Sequence, residues 1–432
     1  MNTMKLACVS LALVASVALV RTAAADVPIA KVDNWELFTN GRVNAFFSYG
    51  QGDSNPVPLV AGENITPGGG LDTSYDNIPV LDPATGLALP VQGTFKSMRL
   101  RSGFVPNVLG FGLRRPLSAD TTLKIYTSFW GTIETESQRK TSPNFAAFQE
   151  GYLKIEAPWG AFTAGRQLSL FSRGATETEF MYGHGYALGY PGNIDTFGPT
   201  AGLIGFGVLA AFFSPGLMYS TPKAAGLQLN VAVFDPTPFP GGWEGTRYAR
   251  PEGELTFDFQ SGSFKVHLFG NGAYQPVYKP GSERVEKVYG AGYGGRFEFG
   301  PVHIGASGHY GKGLGLAYAI QSGPITIGPS PDNELRKFDG YSVLAQLVAG
   351  QFDFNLGWGM SRAYQLQSDR DSVGTPMAIS LLNNQQAYAA VIVYHATEHV
   401  HLSVDYLHGQ AKWFGGEKQS FDFINTGAVA TW

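Results

Sequence analysis

Cysteine is almost absent from this chain, since Cys8 is the single cysteine among 432 residues. It lies in an N-terminal segment typical of a secretory signal peptide, with a basic start, an apolar stretch over 6–20 and small residues at 23–25. We therefore expect residues 1–25 to be removed and the mature chain to comprise residues 26–432. An exported chain without cysteine has no disulfide bonds, no thiolate chemistry and no cysteine-ligated metal.

Long apolar runs are missing as well. After residue 25 there is no run of about 18 apolar residues, and the longest candidate, 202–213, is short and interrupted by glycine. Charged residues make up only 15% of the chain, and the net charge of −4 argues against a nucleic-acid partner. No linker or shift in composition divides the chain, so we predict a single domain. With 56 glycines and 13% aromatic residues, its one route into a membrane is a closed β-barrel.

Apolar and polar residues alternate with a period of two along the whole mature chain. Over 227–233, for example, leucine and valine alternate with Gln228, Asn230 and Ala232. We count sixteen such segments, among them 96–117, 161–173 and 216–223, joined alternately by short turns and by long loops such as 50–94 and 174–215. This pattern predicts the fold class: all-β, a 16-stranded antiparallel transmembrane β-barrel with short periplasmic turns and long extracellular loops.

A soluble β protein with one buried and one wet face would show the same alternation. Two features favour the membrane barrel instead. Aromatic residues cluster near the ends of the predicted strands, as Trp35, Tyr49, Trp130 and Trp159 illustrate. The sequence also ends on an aromatic residue, Trp432, at the end of an extended run.

Two stretches resemble the Gram-negative general porin family. Residues 149–174, QEGYLKIEAPWGAFTAGRQLSLFSRG, are similar to its fourth and fifth strands, the second of which closes on Gly-Arg-Gln or Gly-Arg-Asn. Residues 107–126, NVLGFGLRRPLSADTTLKIY, are similar to its second and third strands. The resemblance implies a trimeric, water-filled pore whose third extracellular loop, here 174–215, folds into the lumen.

The resemblance also implies a constriction between acidic groups on that loop and basic groups on the facing wall. Arg166 matches the arginine of the family motif directly. The Pro-Glu-Phe-Gly turn common in the family's loop is missing here, which leaves the acid–base pairing open. The predicted constriction residues are Arg42, Arg99, Arg101, Lys124, Arg166, Glu177, Glu179 and Asp195. Charges of both signs across a narrow throat would align water and favour polar solutes.

The function predicted from these features is passive diffusion of ions and small hydrophilic solutes across the outer membrane, with weak ion selectivity and no cofactor. The expected partners are outer-membrane lipid, lipopolysaccharide, two further copies of the chain and the barrel-assembly machinery. One alternative is a substrate-selective channel for sugars or anions, with Tyr182, Tyr186, Tyr190 and Phe197 as a stacking track. Another is a barrel without a channel, an adhesin or an enzyme that works through loop 50–94.

Sequence patterns that would indicate an enzyme lack their required context. Residues 290–295 match G-x-G-x-x-G, but they lie in an alternating strand with no helix after it. His399 and His401 share a strand face without a third ligand at a fixed spacing. His401, Ser403 and Asp405 stand about 7 Å apart along one strand, too far for the hydrogen bonds of a triad. We therefore expect no catalytic activity.

Overall fold

A computed structural model describes most of residues 26–432, and several predictions lie outside the described residues. The signal peptide and most of loop 50–94 are among the residues that it does not describe, and so is Asp195. The described residues are 26–53, 94–133, 146–180, 182–186, 199–236, 247–278, 285–314, 335–367, 382–413, 416 and 418–432.

Strands make up nearly all of the regular structure in these ranges, with one short helix. The elements are β1 (Val27–Val32), β2 (Trp35–Asp53), β3 (Thr94–Arg101), β4 (Asn107–Pro116), β5 (Thr122–Gly131), β6 (Ala146–Ala157), β7 (Gly160–Leu168), α1 (Arg173–Thr178), β8 (Tyr182–Tyr186), β9 (Pro199–Ala201), β10 (Phe213–Ser220), β11 (Leu227–Phe234), β12 (Arg250–Ser261), β13 (Phe264–Tyr278), β14 (Val285–Phe299), β15 (Val302–Lys312), β16 (Lys337–Ala349), β17 (Phe352–Ala363), β18 (Leu382–His395), β19 (Val400–Trp413) and β20 (Lys418–Thr431).

The barrel is closed and has sixteen strand positions. Consecutive wall strands pair antiparallel, β7 pairs with β10, and β20 returns to pair with β2. Strands β3 and β4 both pair with β2, at successive heights, and so occupy one position in the wall. The short strands β8 and β9 pair with each other and belong to the segment between β7 and β10, not to the wall. The predicted 16-stranded antiparallel barrel is confirmed.

The two faces of the wall are the reverse of those in a soluble protein. On β11, Leu227, Leu229, Val231 and Val233 point outward and are between 44% and 49% exposed. Asn230, which points inward, is only 4% exposed. An apolar outer surface around a polar interior is stable in lipid and would be costly in water. In the described ranges no helix has both the length and the hydropathy needed to cross a membrane.

The first strand, β1, was not predicted. It pairs with residues 35–39 of β2 and lies below the end of β20 on the same side of β2. Pro28 argues against a strand because it has no N–H to donate, and the pairing register shifts between Pro28 and Ala30. The two ends of the described chain therefore follow one another along a single partner strand.

The predicted strand 96–117 is interrupted at residues 102–106. Asn44 of β2 takes over the missing hydrogen bonds there: its amide nitrogen donates to the carbonyl oxygens of Val105 and Pro106, at 3.0 and 2.9 Å, and its amide oxygen accepts from the N–H of Gly103 at 2.7 Å. Proline favours such a break because it cannot donate to a ladder.

Two predicted strand boundaries near the loop 174–215 are also shifted. The strand predicted over 161–173 ends at Leu168, and the one predicted over 216–223 spans Phe213–Ser220. In residues 169–173 the strand pattern continues, but the chain has already turned away from the wall toward helix α1.

The seam where the barrel closes depends on close packing at Gly41. Its N–H donates to the carbonyl oxygen of Trp432 at 3.0 Å, and a Cβ at this position would collide with the Trp432 ring and the carbonyl of Val108. We expect Gly41→Val to destabilise the barrel by about 1–3 kcal/mol through overpacking. The temperature at which the folded band is lost on a semi-native gel measures this. Gly270→Val is the matched control, because a Cβ there would meet open space; equal losses would contradict the role of the seam.

Candidate functional site

The described residues of the segment between β7 and β10 lie in the interior of the barrel; we call this segment, residues 169–212, the lumen loop. Its described parts are 169–180, 182–186 and 199–212. The loop is closed at its base, where the N–H of Ser169 donates to the carbonyl oxygen of Phe212 at 2.7 Å. From there helix α1 packs on β13–β15, and the β8 segment lies against β18 and β19.

An apolar core inside the barrel holds the lumen loop to the wall. On the loop side, Phe206 and Leu203 are completely buried, and the Phe206 ring lies 6.4 Å from that of Phe421 on β20. The inner face of the wall is correspondingly apolar, although a water-filled barrel normally has a polar interior. The wall members of this core include Val277, Val288, Phe338, Leu344, Ala387, Ala389, Val391, Val393, Leu407, Ala411, Phe421 and Phe423.

Backbone contacts bring the loop and the wall still closer at Gly207. This residue has φ +88, a conformation that favours glycine, and a Cβ would collide with the backbone of Tyr341 on β16. Its N–H donates to the hydroxyl of Ser361 on β17 at 2.8 Å. The side-chain amide of Gln385 on β18 donates to the carbonyl oxygen of Gly205. The loop therefore contacts the inner faces of three consecutive strands, β16, β17 and β18.

At its other side the lumen loop reaches the interruption between β3 and β4. The Thr200 hydroxyl accepts a hydrogen bond from the N–H of Val105 at 2.8 Å and can donate one to the carbonyl oxygen of Val105 at 3.4 Å. Thr200 is fully buried and has φ +75, which is unfavourable for a β-branched residue. Because the strand is interrupted here, the backbone N–H and carbonyl groups of Val105 bind Thr200 of the loop instead of a neighbouring strand.

Thr200→Val tests this connection. We expect the connection between loop and wall to lose about 1 kcal/mol of stability, because valine has nearly the same shape but leaves the half-buried N–H of Val105 without this acceptor. Amide hydrogen exchange at Val105 measures it, since the N–H should lose protection. Thr200→Ser keeps the hydroxyl and should keep most of the protection; if serine and valine behave alike, the hydroxyl does not matter.

The two predicted loop acids that the structure describes are turned into the loop rather than toward open space. Glu177 lies 3.7 Å from the Arg173 guanidinium, and burial raises the pKa of its carboxyl. Glu179 is only 5% exposed and accepts a hydrogen bond from the N–H of Leu203. Burial raises the pKa of Glu179 to about 8, so this carboxyl is largely protonated at neutral pH. Their predicted role at the constriction stays a prediction.

Two acids that sequence reasoning missed anchor the base of the loop. Glu252 on β12 accepts hydrogen bonds from the N–H groups of Leu170 and Phe171, both at 2.8 Å, and pairs with Arg250 at 2.8 Å. Glu254, two residues further on the same inner face, pairs with Arg173 of the loop. The available signal was weak, because alternation places both acids inside the barrel without indicating what they contact.

Three of the predicted basic residues point into the lumen from adjacent strands. Arg99 and Arg101 on β3 lie opposite the inward-facing Ser48 and Phe46 of β2. Arg42 lies on the same face of β2 and is 8% exposed, and Arg101 is 4% exposed. We call Arg42, Arg99 and Arg101 the arginine group. Their charges lie beside the interruption that Thr200 contacts.

Lys124 points inward but lies near the periplasmic turn. Its ammonium is 3.4 Å from Asp26 and lies over the rings of Phe38 and Tyr126, at 4.8 and 5.4 Å from their centroids. Arg114 joins the same periplasmic cluster through Asp26 at 3.5 Å. A role of Lys124 in the constriction stays a prediction, and these ion pairs give it a local structural role.

Arg166 lies at the extracellular end of β7. Its Nε donates to the carbonyl oxygen of Gln149 at 2.8 Å. In the pairing of β6 with β7 it stands opposite Gly151, whereas the inward-facing Tyr152 stands opposite Gly165. The register thus puts Arg166 on the face that carries the exposed Leu153. This placement is unfavourable to the predicted constriction role, which stays a prediction.

The inner face of β5 and β6 carries a series of polar and aromatic residues that sequence reasoning used only in part. Cross-strand pairs rise from the periplasmic turn: Thr122 with Glu156, Lys124 with Lys154, Tyr126 with Tyr152, and Ser128 with Glu150. Glu150 was missed, although it continues the two-residue spacing of Tyr152, Lys154 and Glu156. The contacts of the described loop residues fall mainly on β10–β20 and on the interruption at 102–106.

The side chains of the remaining predicted residues are not described. Asp195, Tyr190 and Phe197 lie outside the described residues, and only the backbone is described for Tyr182 and Tyr186. The backbone of Tyr182 and Tyr186 belongs to β8, which pairs with β9 and lies against β18 and β19.

Comparison with solved structures identifies the fold. The outer membrane channel DcaP of Acinetobacter baumannii is 13% identical, with a TM-score of 0.62 over 94% of this chain and 100% of that one. An anion-selective porin from Comamonas acidovorans is 12% identical, with a TM-score of 0.56 over 92% and 100%. A loop-deletion mutant of OmpT, an outer membrane protein of Vibrio cholerae, is 14% identical, with a TM-score of 0.51 over 93% and 100%. A comparison with curated protein sequences finds no significant match.

Comparison with protein families gives a match to the Gram-negative porin family over residues 7–429, which is nearly the whole chain. The family, the closed 16-stranded barrel and the loop folded into its lumen agree with one another. The chain therefore belongs to the Gram-negative porin family and is an outer-membrane β-barrel that forms a channel for passive diffusion.

Proposed function

We propose that the channel carries ions and small hydrophilic solutes through a water-filled passage bordered by the inner faces of β2–β7 and narrowed by the lumen loop. The observation that carries this proposal is the apolar core between the loop and the strands β13–β20. Buried phenylalanine and leucine side chains hold the loop against β13–β20, so the loop keeps its position while solutes pass. The opposite side keeps the hydrophilic lining that passage of polar solutes requires.

Weak ion selectivity is the second part of the proposal. The arginine group brings positive charge to β2 and β3, and Glu150 brings negative charge to β6. Charges of both signs along one passage offset each other's effect on bulk ions. The Comamonas protein is described as an anion-selective porin, and anion selectivity is the alternative for this chain. Arg166, Lys124, Glu177, Glu179 and Asp195 remain proposed contributors to the field.

We further propose a homotrimer in the outer membrane, in contact with lipid and lipopolysaccharide and inserted by the barrel-assembly machinery after removal of residues 1–25. The family match and the apolar outer surface support this proposal. The channel needs no cofactor and has no catalytic activity in this proposal.

Planar-bilayer recording of the refolded protein in a KCl gradient tests the proposal. We expect stepwise closures in groups of three and a reversal potential close to zero. A large reversal potential of either sign would replace weak selectivity by strong selectivity, and saturation by a sugar would favour a substrate-selective channel. Absence of conductance would contradict the channel. Deletion of residues 54–93 should leave conductance intact, unlike the activity of an adhesin or enzyme that works through that loop.

A further inference from the structure

Glu150 is the carboxylate on the β4–β7 side of the lumen at the height where the lumen loop leaves the wall. It precedes Gly151, which pairs with Arg166, and Arg166 lies three residues before Ser169, the first residue of the loop. Ser128 on β5 stands opposite and donates its hydroxyl to the Glu150 carboxylate at 2.8 Å. This hydrogen bond fixes the carboxylate on the inner face of the wall.

Neighbouring carboxylates on the same inner surface are already engaged by cations nearer the periplasm. Glu156 pairs with Lys154 at 2.5 Å, and Asp26 lies 3.4 Å from Lys124. Among the residues that the structure describes, Glu150 forms no ion pair within 4.0 Å, and Ser128 is the side chain that holds it. The charge of Glu150 is therefore less compensated by contact than that of Glu156, the other acid of β6.

The lumen loop does not supply an equivalent acid in its described residues. Glu179 is buried with a pKa of about 8, and Glu177 faces Arg173. The described acids of the loop are thus buried or ion-paired, while Glu150 on the wall is partly exposed on the inner face. The rings of Tyr126 and Tyr152, 5.5 Å apart, lie directly below Glu150 on the same face. Tyrosine rings beside a carboxylate form an environment that attracts ammonium groups.

We propose that Glu150, on the wall strand β6, determines the ion preference of the channel and admits small cations and ammonium-bearing solutes past the arginine group. The proposal deepens the channel function above and rests on it. Glu150 is a specificity-determining residue that acts through its charge, and Ser128 positions it. The acid side of the constriction then lies on the wall rather than on the lumen loop, and the passing solute meets the Glu150 carboxylate with the partly exposed ring of Tyr152 below it.

Reversal potentials in gradients of KCl and of choline chloride test the proposal. We expect Glu150→Gln to lower the permeability of potassium relative to chloride by about twofold or more, and that of choline at least as much. Glu150→Asp should keep most of the cation permeability. Glu156→Gln is the matched control, because Glu156 lies on the same strand and face but is paired with Lys154. An unchanged Glu150→Gln channel, or an equal shift in Glu156→Gln, would overturn the proposal.

A second variant allows the charge to be restored by chemical modification. This test does not require the Glu150→Gln variant to fold. The chain without residues 1–25 has no cysteine, so Glu150→Cys creates a single thiol. Its thiolate attacks a methanethiosulfonate, forming a mixed disulfide and releasing methanesulfinate. A sulfonatoethyl adduct should return the wild-type ion preference, and a trimethylammonioethyl adduct should shift it further toward chloride. Identical reversal potentials for the two adducts would overturn the proposal, whereas loss of conductance in the unmodified wild type would instead overturn the channel function.

Discussion

Replacing Phe206 with alanine should reduce the free energy of unfolding by about 3–5 kcal/mol, because it removes a completely buried ring from the core between the lumen loop and the wall. The ring packs on Phe421 of β20, and the backbone around it is bonded to β17 and β18 through Ser361 and Gln385. Little of this surrounding backbone can relax into the space that the ring leaves. Denaturant unfolding in detergent micelles measures the effect as a lower midpoint with an unchanged slope.

The same variant should also make the channel current noisier, since a less firmly seated loop fluctuates in the passage. Phe111→Ala is the matched control: Phe111 is 37% exposed on the outer surface of β4 and contacts neither the loop nor the core. We expect a smaller loss of stability and no added noise. If Phe206→Ala leaves both stability and noise unchanged, the apolar core does not seat the loop.

Raising the pH from 5 to 9 should weaken the lumen loop through Glu179. Burial raises the pKa of this carboxyl from 4.5 to about 8 in the folded protein. Below pH 4.5 it is protonated in both folded and unfolded chains, so it makes no difference to stability. As the pH rises above 4.5, the unfolded chain releases the proton while the folded chain still holds it, and stability falls. Above about pH 8 the folded carboxyl is ionised too, and the loss stays constant.

The size of this loss follows from the shift of about 3.5 pH units, which corresponds to about 5 kcal/mol. Glu179→Gln removes the titration and keeps an oxygen that accepts from the N–H of Leu203. We therefore expect the variant and the wild type to be equally stable near pH 4.5 and the variant to be more stable at pH 9. Unfolding midpoints measured for both proteins across this range check the difference.

Glu156→Gln is the control for this titration, because the partly exposed Glu156 pairs with Lys154 near the periplasmic turn. Its difference from the wild type should stay small at every pH. A Glu179→Gln curve parallel to the wild-type curve would show that the Glu179 carboxyl is not held protonated by the folded loop.

Much of the wall was predictable because strand position and facing depend on neighbouring residues only. On β11 the alternation of Leu229 and Val231 with Asn230 is enough to assign the outer and inner faces, and the structure confirms it. The interruption at 102–106 and strand β1 were harder. At the interruption, Asn44 supplies hydrogen bonds from a distant part of the sequence, and β1 contains Pro28 but forms because β2 extends below the seam.

The site was less predictable because charge alone does not tell where a carboxylate is used. The sequence alone does not distinguish Glu150, Glu177 and Glu179, because all three are acids near the loop. Their contacts separate them: Glu177 meets Arg173, Glu179 meets the backbone of Leu203, and Glu150 faces Ser128 on the open side. Arg166 illustrates the same limit, since its motif resembles the family while its register puts it opposite Gly151.

The sequence by itself determined that this chain forms a barrel of sixteen strands, because alternation, turn spacing and the absence of a spanning helix are local properties. Only the tertiary structure decided how the lumen is divided. Residues 389–393 of β18 are apolar on both faces, and the buried Val391 and exposed Ile392 serve different partners, the lumen loop and the lipid. Alternation cannot distinguish two apolar environments, because the free energy of burying a side chain is similar in protein and in lipid.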